Sequence, residues 1–490
     1  MYLGIDIGTS AVKAVLASGP SAVTATAHAP LEVSRPRPGW SEQDPGIWWA
    51  ATQVALGALK ETAGPAWDGA KAIGLSGQMH GAVLLDGSRK PIRPAILWND
   101  GRSAAQCAKL AAAMPEIGEI SGAIPMPGFT APKLMWVREH EPEAYAQIKH
   151  VLLPKDFVRL ALTGELATDM ADAAGTMWLN EATRSWDTAT CDASQTDRAW
   201  LPRLLEGTEI SGSLSAEAAA ALGLKAGIPV AAGGGDAAAG AMGIGAVADG
   251  DAFVSLGTSG QFFVTSESYA ANPAAAVHAY AHCVPGRWFQ MAAMLNGASP
   301  MQWFAEFAQE DIGALLSEAA LIDTDTAPLF LPYLTGERTP HNDPNIRGAF
   351  YGLTPAAGRA DAMRGIINAV AYCFCDGRDS LGAAAAGLDQ VAAIGGGARS
   401  DLVLQTLSDA LGVSMVRFAD AEQGPALGAA RLAMVASGDM IVAEAAETPE
   451  TDRAFEPNAE ETERHARTLE RWRELYRALK PFAAGSAAAS

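Results

Sequence analysis

The chain opens with an apolar run over residues 2–7, broken by Asp6, and resumes after Gly8-Thr9-Ser10 with the mostly apolar residues 11–17. Two β-type runs around a tight glycine-containing turn predict a hairpin at the start of a sheet. Asp44-Pro45 predicts a helix start, with Asp as N-cap and Pro in the first helical position. Trp48, Ala51, Ala55 and Leu59 then recur at steps of three or four, which gives that helix one apolar face. Short strands over 72–75 and 82–85 flank the loop Ser76-Gly77-Gln78-Met79-His80-Gly81. The opening pattern returns much later, with a strand over 253–256, the turn Gly257-Thr258-Ser259-Gly260 and a strand over 261–264.

A repeat at this interval is no solenoid period. It predicts two domains that each begin with the same hairpin, divided between residues 245 and 252: one domain over 1–245 and one over 246–482. A third strand, 391–394, runs into Gly395-Gly396-Gly397-Ala398-Arg399-Ser400 and a helix over 401–411. Leu469, Trp472, Tyr476 and Leu479 mark an amphipathic C-terminal helix. The small residues 483–490 are expected to fray. Strands alternating with helices through both halves predict an α/β protein.

Composition narrows the class. With 490 residues, 49% hydrophobic and 18% charged, the chain has the balance of a folded globular protein. Its 35 basic and 55 acidic residues give a net charge of -20, which argues against nucleic acid or an anionic membrane as partner. Five cysteines without a CxxC spacing read as free thiols of a reducing compartment. The opening residues carry no basic signal-peptide region, and no apolar run nears the roughly 20 residues of a membrane span. A cytoplasmic location is expected.

No Walker A sequence is present, so a nucleotide would be held in another way. A Gly-Thr-Ser turn suits the task, since glycine lets backbone amides approach a phosphate closely. Such a turn is by itself also an ordinary hairpin. Asp6, at the end of its strand, is placed to orient Mg²⁺ or its waters. Lys13 reads either as a phosphate ligand or as an exposed strand lysine. The Gly395-Gly396-Gly397 run permits close approach of a flat ligand but lacks the GxGxxG spacing of a dinucleotide site. Asp236, alone among glycines and alanines, is either a turn cap or an exposed catalytic acid. His80 is a loop histidine or a sugar contact, and His278 and His282, four apart, read as packing residues.

Taken in order, several segments resemble the FGGY carbohydrate kinases: Gly4-Ile5-Asp6-Ile7-Gly8-Thr9-Ser10, Trp40-Ser41-Glu42-Gln43-Asp44-Pro45, Gln78-Met79-His80-Gly81 and Leu97-Trp98-Asn99-Asp100-Gly101-Arg102. Leu153-Pro154-Lys155-Asp156, Asp172-Ala173-Ala174-Gly175-Thr176, Gly336-Glu337-Arg338-Thr339-Pro340-His341 and Gly424-Pro425-Ala426-Leu427-Gly428-Ala429-Ala430 extend the match over nearly the whole chain. The resemblance implies two actin-like, ribonuclease H-like domains with a cleft between them, phosphorylation of a small sugar by ATP with Mg²⁺, and a homodimer. It implies Asp6 as the metal-facing carboxylate, and Gly8, Thr9, Ser10 and Lys13 with Gly257 and Thr258 around the phosphates. Gly396, Gly397 and Arg399 would border the adenosine, Met79, His80, Trp98, Asn99 and Arg102 the sugar, and Asp236 would be the catalytic base. Members acting on glycerol carry an Arg-Glu pair where this chain has Met79-His80, a form that points to D-xylulose. In similar chains Asn often follows the base; Ala237 stands here, which leaves a related ketose or polyol (ribulose, arabitol-like) open. An actin-like ATP-binding regulator without sugar chemistry is the alternative of another class.

Overall fold

Both predicted hairpins form, and each lies inside a seven-stranded sheet of the computed structural model, which describes residues 1–419 and 424–486, with side chains through Ala483. In the first sheet the order is Ile210–Ser213, Pro229–Ala231, Ala72–Gly77, Tyr2–Ile7, Ala11–Ala17, Val23–Pro30, and Gly234–Gly235 also pairs with Ala72–Gly77. In the second it is His278–Ala281, Trp288–Met294, Gly260–Ser266, Ala252–Leu256, Gln390–Ile394, Ser414–Phe418, Thr451–Phe455.

The two sheets share one plan. Tyr2–Ile7 runs antiparallel to Ala11–Ala17 and parallel to Ala72–Gly77. Ala252–Leu256 runs antiparallel to Gly260–Ser266 and parallel to Gln390–Ile394. The turns are not identical. In the first, ladder pairing stops at Ile7↔Val12 and the Gly8 amide donates to the Ala11 carbonyl at 3.1 Å. The second is one residue tighter, closing at Leu256↔Gly260.

The helix Pro45–Ala63 begins where the sequence predicts, with the Asp44 carboxylate accepting from the Gly46 amide at 2.8 Å. Trp48, Ala51, Ala55 and Leu59 are all buried on its inner face. The helix Gly424–Ala436 belongs to the second half of the chain, yet it lies against Tyr2–Ile7 and Ala72–Gly77 of the first sheet and crosses the helix Asp236–Gly243. Only glycine allows this approach. A Cβ on Gly4 would lie 1.9 Å from the Ala426 carbonyl oxygen, on Gly74 1.8 Å from that of Ala429, and on Gly428 1.7 Å from that of Ala239. One buried apolar cluster runs across both halves, including Met79, Ala238 and Met242 beside Phe253 and Phe263.

The five cysteines are buried and free. His278 and His282 are packing residues as expected, set among Phe129, Tyr280, Phe263 and Phe289. The C-terminal helix Ala459–Ser486 buries Trp472 and Tyr476 and continues into the segment expected to fray; residues 487–490 lie outside the described ones. Among the described residues no helix is long and apolar enough to cross a membrane.

Candidate active site

Strand register assembles the centre. Asp6, Ser76 and Gly234 lie abreast across three adjoining strands, as do Ile7, Gly77 and Gly235 one step further. The next residues, Gly8, Gln78 and Asp236, therefore meet at the carboxyl ends of parallel strands, where open α/β sheets bind ligands. Asp6 is 7% exposed, and its Oδ1 is buried with no hydrogen-bond partner. Burial raises its pKa from 3.8 to about 6; the Ser76 hydroxyl and the Lys13 charge oppose that rise. Ser76 does this from nearby without completing a well-formed hydrogen bond. Asp236 is exposed at its surface, but protein surrounds it at longer range. That desolvation, and next the charge of Asp6, raises its pKa to about 7. Its Oδ1 accepts from the Ala237 amide at 2.8 Å.

The first Gly-Thr-Ser turn is held from behind by two glutamines. Thr9 Oγ1 donates to Gln78 Oε1 at 3.0 Å, and Gln78 Nε2 donates to Gln43 Oε1 at 3.0 Å and to the Gly8 carbonyl at 3.3 Å. Gln43 Nε2 donates to the Thr9 carbonyl, while Trp48 Nε1 donates to Gln43 Oε1. Trp98, 43% exposed, donates its indole N–H to Thr9 Oγ1 at 3.0 Å, so it stands beside the Gly8-Thr9-Ser10 turn. The Thr9 hydroxyl hydrogen is spent on Gln78 and the Gly8 amide on the Ala11 carbonyl, which leaves the Thr9 and Ser10 amides for a ligand. Ser10, Lys13 and Asn99 are exposed around it.

The loop Met79-His80 packs against Gly235, the residue before Asp236. Met79 is 6% exposed and rests on Gly235, where a Cβ would come 2.8 Å from its Cγ. His80 adopts φ 69°, a left-handed conformation seldom taken by residues with a side chain. Its carbonyl accepts from Thr130 Oγ1 at 3.0 Å and Lys133 Nζ at 2.9 Å, and its Nδ1 lies 2.9 Å from the Gly175 carbonyl. A carbonyl only accepts, so Nδ1 carries the proton and Nε2 is left as an acceptor. Burial lowers the His80 pKa to about 3, with the charges of Lys133 and Arg338 adding to it, so the ring is neutral. Gly175 has no room for a side chain, since a Cβ would lie 2.3 Å from His80 Nδ1.

Arg102 is not brought to the cleft. Its side chain is 1% exposed and is bound to Asp100 at 2.7 Å and Glu42 at 2.6 Å, with the guanidinium 3.6 Å from the Trp40 ring centroid. It braces the Trp98-Asn99 segment from behind.

The second sheet builds a separate chamber. Continuing the register Ser255↔Ile394 places Gly257 level with Gly396, and both border a cavity of about 920 Å³. Thr258, Gly397 and Arg399 also line it, so the second-half residues singled out from the sequence come together. A Cβ on Gly396 would meet nothing within 4 Å, because the space above it is cavity. The Gly257-Thr258 turn is clamped from the next loop, whose Ala298 amide donates to the Gly257 carbonyl at 2.7 Å. Sequence reading missed the apolar wall of Met301, Trp303, Ile312 and Leu316. It also missed the roles of Gln43 and Gln78 behind the turn. Gln78 stands in the loop just past the strand Ala72–Gly77, where no local pattern marks its role.

Residues 1–243 match the FGGY family of carbohydrate kinases, N-terminal domain, and residues 252–437 match its C-terminal domain. The chain is 45% identical to a xylulose kinase of Escherichia coli strain K12 over 487 residues, covering 99% of this chain and all of that protein. Its structure superposes on a crystal structure from Brucella ovis described as a xyloylose kinase, with TM-score 0.95, 41% identity and 98% and 99% of the two chains covered. A gluconate kinase from Lactobacillus acidophilus has TM-score 0.93 at 25% identity, covering 100% and 99%. With both halves matched in order, and with the two-domain actin-like architecture of these relatives, the chain belongs to the FGGY family of carbohydrate kinases.

Proposed function

We propose that the protein transfers the γ-phosphoryl group of ATP to the 5-hydroxyl of D-xylulose, giving D-xylulose 5-phosphate, with Asp236 as general base. The observation that carries this reading is a carboxylate of pKa about 7, level with the Gly8 turn and packed against the Met79-His80 loop. A base poised near neutrality both ionises and accepts a hydroxyl proton efficiently at working pH. The Thr9 and Ser10 amides of the first turn and the Gly257-Thr258 turn take the phosphates, with Lys13 beside the first. Gly396, Gly397 and Arg399 border the adenosine, and the 920 Å³ chamber is of a size for it.

The buried, unpartnered Asp6 Oδ1 fits a hard divalent cation, and Asp6 would hold Mg²⁺ or its waters. Mg²⁺, when bound, neutralises charge on the phosphates being transferred. The neutral His80 ring offers Nε2 to a sugar hydroxyl, Met79 supplies an apolar floor, and Trp98 and Asn99 stand at the entrance. Closing the two domains over the sugar would exclude water, the competing acceptor.

A coupled ADP-release assay over a panel of pentuloses and polyols tests this, with D-xylulose expected to be turned over best. Asp236→Asn should fold normally and lose about 100- to 10,000-fold in kcat; a near-normal rate would remove the base assignment. Ala237 favours a second reading, a related ketose or polyol, and the likeness to a protein named for gluconate indicates that acceptors vary on this fold. A regulator would bind ATP but release no ADP with any sugar in the panel.

A further inference from the structure

Arg338 has no role in the site as derived so far, and its surroundings are unusual. Both neighbours are pinned. Glu337 Oε1 accepts from the Leu295 amide at 2.6 Å and the Arg338 amide at 2.7 Å, and Oε2 accepts from Asn296 Nδ2 at 2.9 Å. Thr339 Oγ1 accepts from the Ala293 amide at 3.1 Å and donates to the Ala276 carbonyl at 3.0 Å. The backbone of Arg338 is therefore fixed at the end of the strand Trp288–Met294. Among the described residues its half-buried guanidinium has no hydrogen bond or ion pair, since the oxygens of adjacent Glu337 are spent on amides. The Glu337 charge acts on the guanidinium through space, but no carboxylate binds it; leaving a half-buried cation's donors unmade is costly, which marks Arg338 as a candidate ligand contact.

Its position says which part of the ligand. Arg338 lies near enough to His80, His278 and Tyr280 to act on all three electrostatically. Those rings form one wall with Phe129, with centroid distances of 4.8 Å for His80–Phe129, 5.8 Å for Phe129–His278 and 5.5 Å for His278–Tyr280. The charges acting on Asp6 and Asp236 are instead Lys13 and Asp6 itself. Arg338 thus lies nearer His80 and His278 than Asp6 and Asp236. Guanidinium has five donors and no acceptor, and in a 2-ketopentose that reacts at its 5-hydroxyl, the acceptor-only group at the far end is the C2 carbonyl.

We infer that Arg338, reaching from the second domain, is a specificity-determining residue that donates hydrogen bonds to the ketose carbonyl while His80 Nε2 accepts from a neighbouring hydroxyl. This rests on the ketose reading of the function. It also explains how a chain with Ala237 keeps a polar sugar contact. The Glu337 anchor joins Arg338 to Leu295 and Asn296, directly ahead of the Gly297-Ala298 amides that bind the Gly257-Thr258 turn. The sugar contact and the nucleotide turn therefore share one scaffold.

The test is steady-state kinetics of wild type, Arg338→Met and Arg338→Lys with D-xylulose, with D-arabitol (which lacks the carbonyl) as competitive inhibitor. Loss of a charge-assisted hydrogen bond predicts a rise of about 10- to 100-fold in the KM for xylulose in Arg338→Met. The kcat, the KM for ATP, the arabitol inhibition constant and the thermal midpoint should stay near wild type, and Arg338→Lys should recover part of the loss. An unchanged xylulose KM, or an arabitol constant that worsens in step with it, would overturn the assignment, as would a loss confined to ATP. A wild-type enzyme inactive on xylulose is a separate outcome, read before any variant, and refutes the ketose reading together with the carbonyl contact.

Discussion

Replacing Asp6 by Asn should abolish turnover and yet stabilise the ligand-free protein. The carboxylate lies on the first strand, 7% exposed, with one oxygen buried and unpartnered, and burial lifts its pKa from 3.8 to about 6. The folded state holds this proton more tightly than the unfolded chain does. Stability from Asp6 is thus fully present below about pH 4 and is lost as pH rises through about 6. Above that, the ionised group costs the fold about 3 kcal/mol, the free energy of the gap between 3.8 and about 6. Asn cannot ionise, although its amide must find an acceptor near Ser76, which gives back about 1 kcal/mol. The net gain of about 2 kcal/mol, in a domain of this size, corresponds to about 4–8 °C in Tm. Thermal and urea unfolding of both proteins, without nucleotide or metal, at several values between about pH 4 and about pH 8 would measure it. The difference should close towards the acid end, and added Mg²⁺ should stabilise only the wild type. A variant no more stable at about pH 8, or a gain that persists undiminished at about pH 4, would refute the claim that ionised Asp6 is held against a desolvation penalty.

Two further outcomes follow from the same geometry. The kcat/KM for the sugar should rise with pH through about 7 as Asp236 releases its proton, because desolvation and the charge of Asp6 hold that proton on; a profile flat from about pH 6 to about pH 8 would exclude Asp236 as the base. Gly428→Ala should destabilise the protein by roughly 2–4 kcal/mol, since its Cβ would meet the Ala239 carbonyl oxygen at 1.7 Å between two helices that cannot both keep their places. An unchanged urea midpoint would show that this crossing has slack.

What could be read from the chain was what is local. The two Gly-Thr-Ser hairpins, the Asp44-Pro45 helix start and the Gly395 to Gly397 turn each depend on a few consecutive residues, and each formed. Asp236 was ambiguous because its role depends on pairing Gly234 with Ser76 and Ser76 with Asp6, a register that local spacing does not contain. The helix Gly424–Ala436 crosses to the other domain's sheet through Gly4, Gly74 and Gly428, three glycines that carry no joint signal until they meet. The two arginines make the physical point most sharply. Both stand in motif-dense loops, Arg102 after Asp100-Gly101 and Arg338 after Glu337, and by type alone either would serve a sugar. Their counterions decide between them. Arg102 is neutralised by Asp100 and Glu42 and stacked on Trp40, so its donors are consumed inside the fold. Glu337 turns instead to the amides of Leu295 and Asn296, which leaves Arg338 the cation with donors to spare beside His80. A residue's availability for substrate is set by how completely the fold has used it, and that is a property of partners distant in sequence.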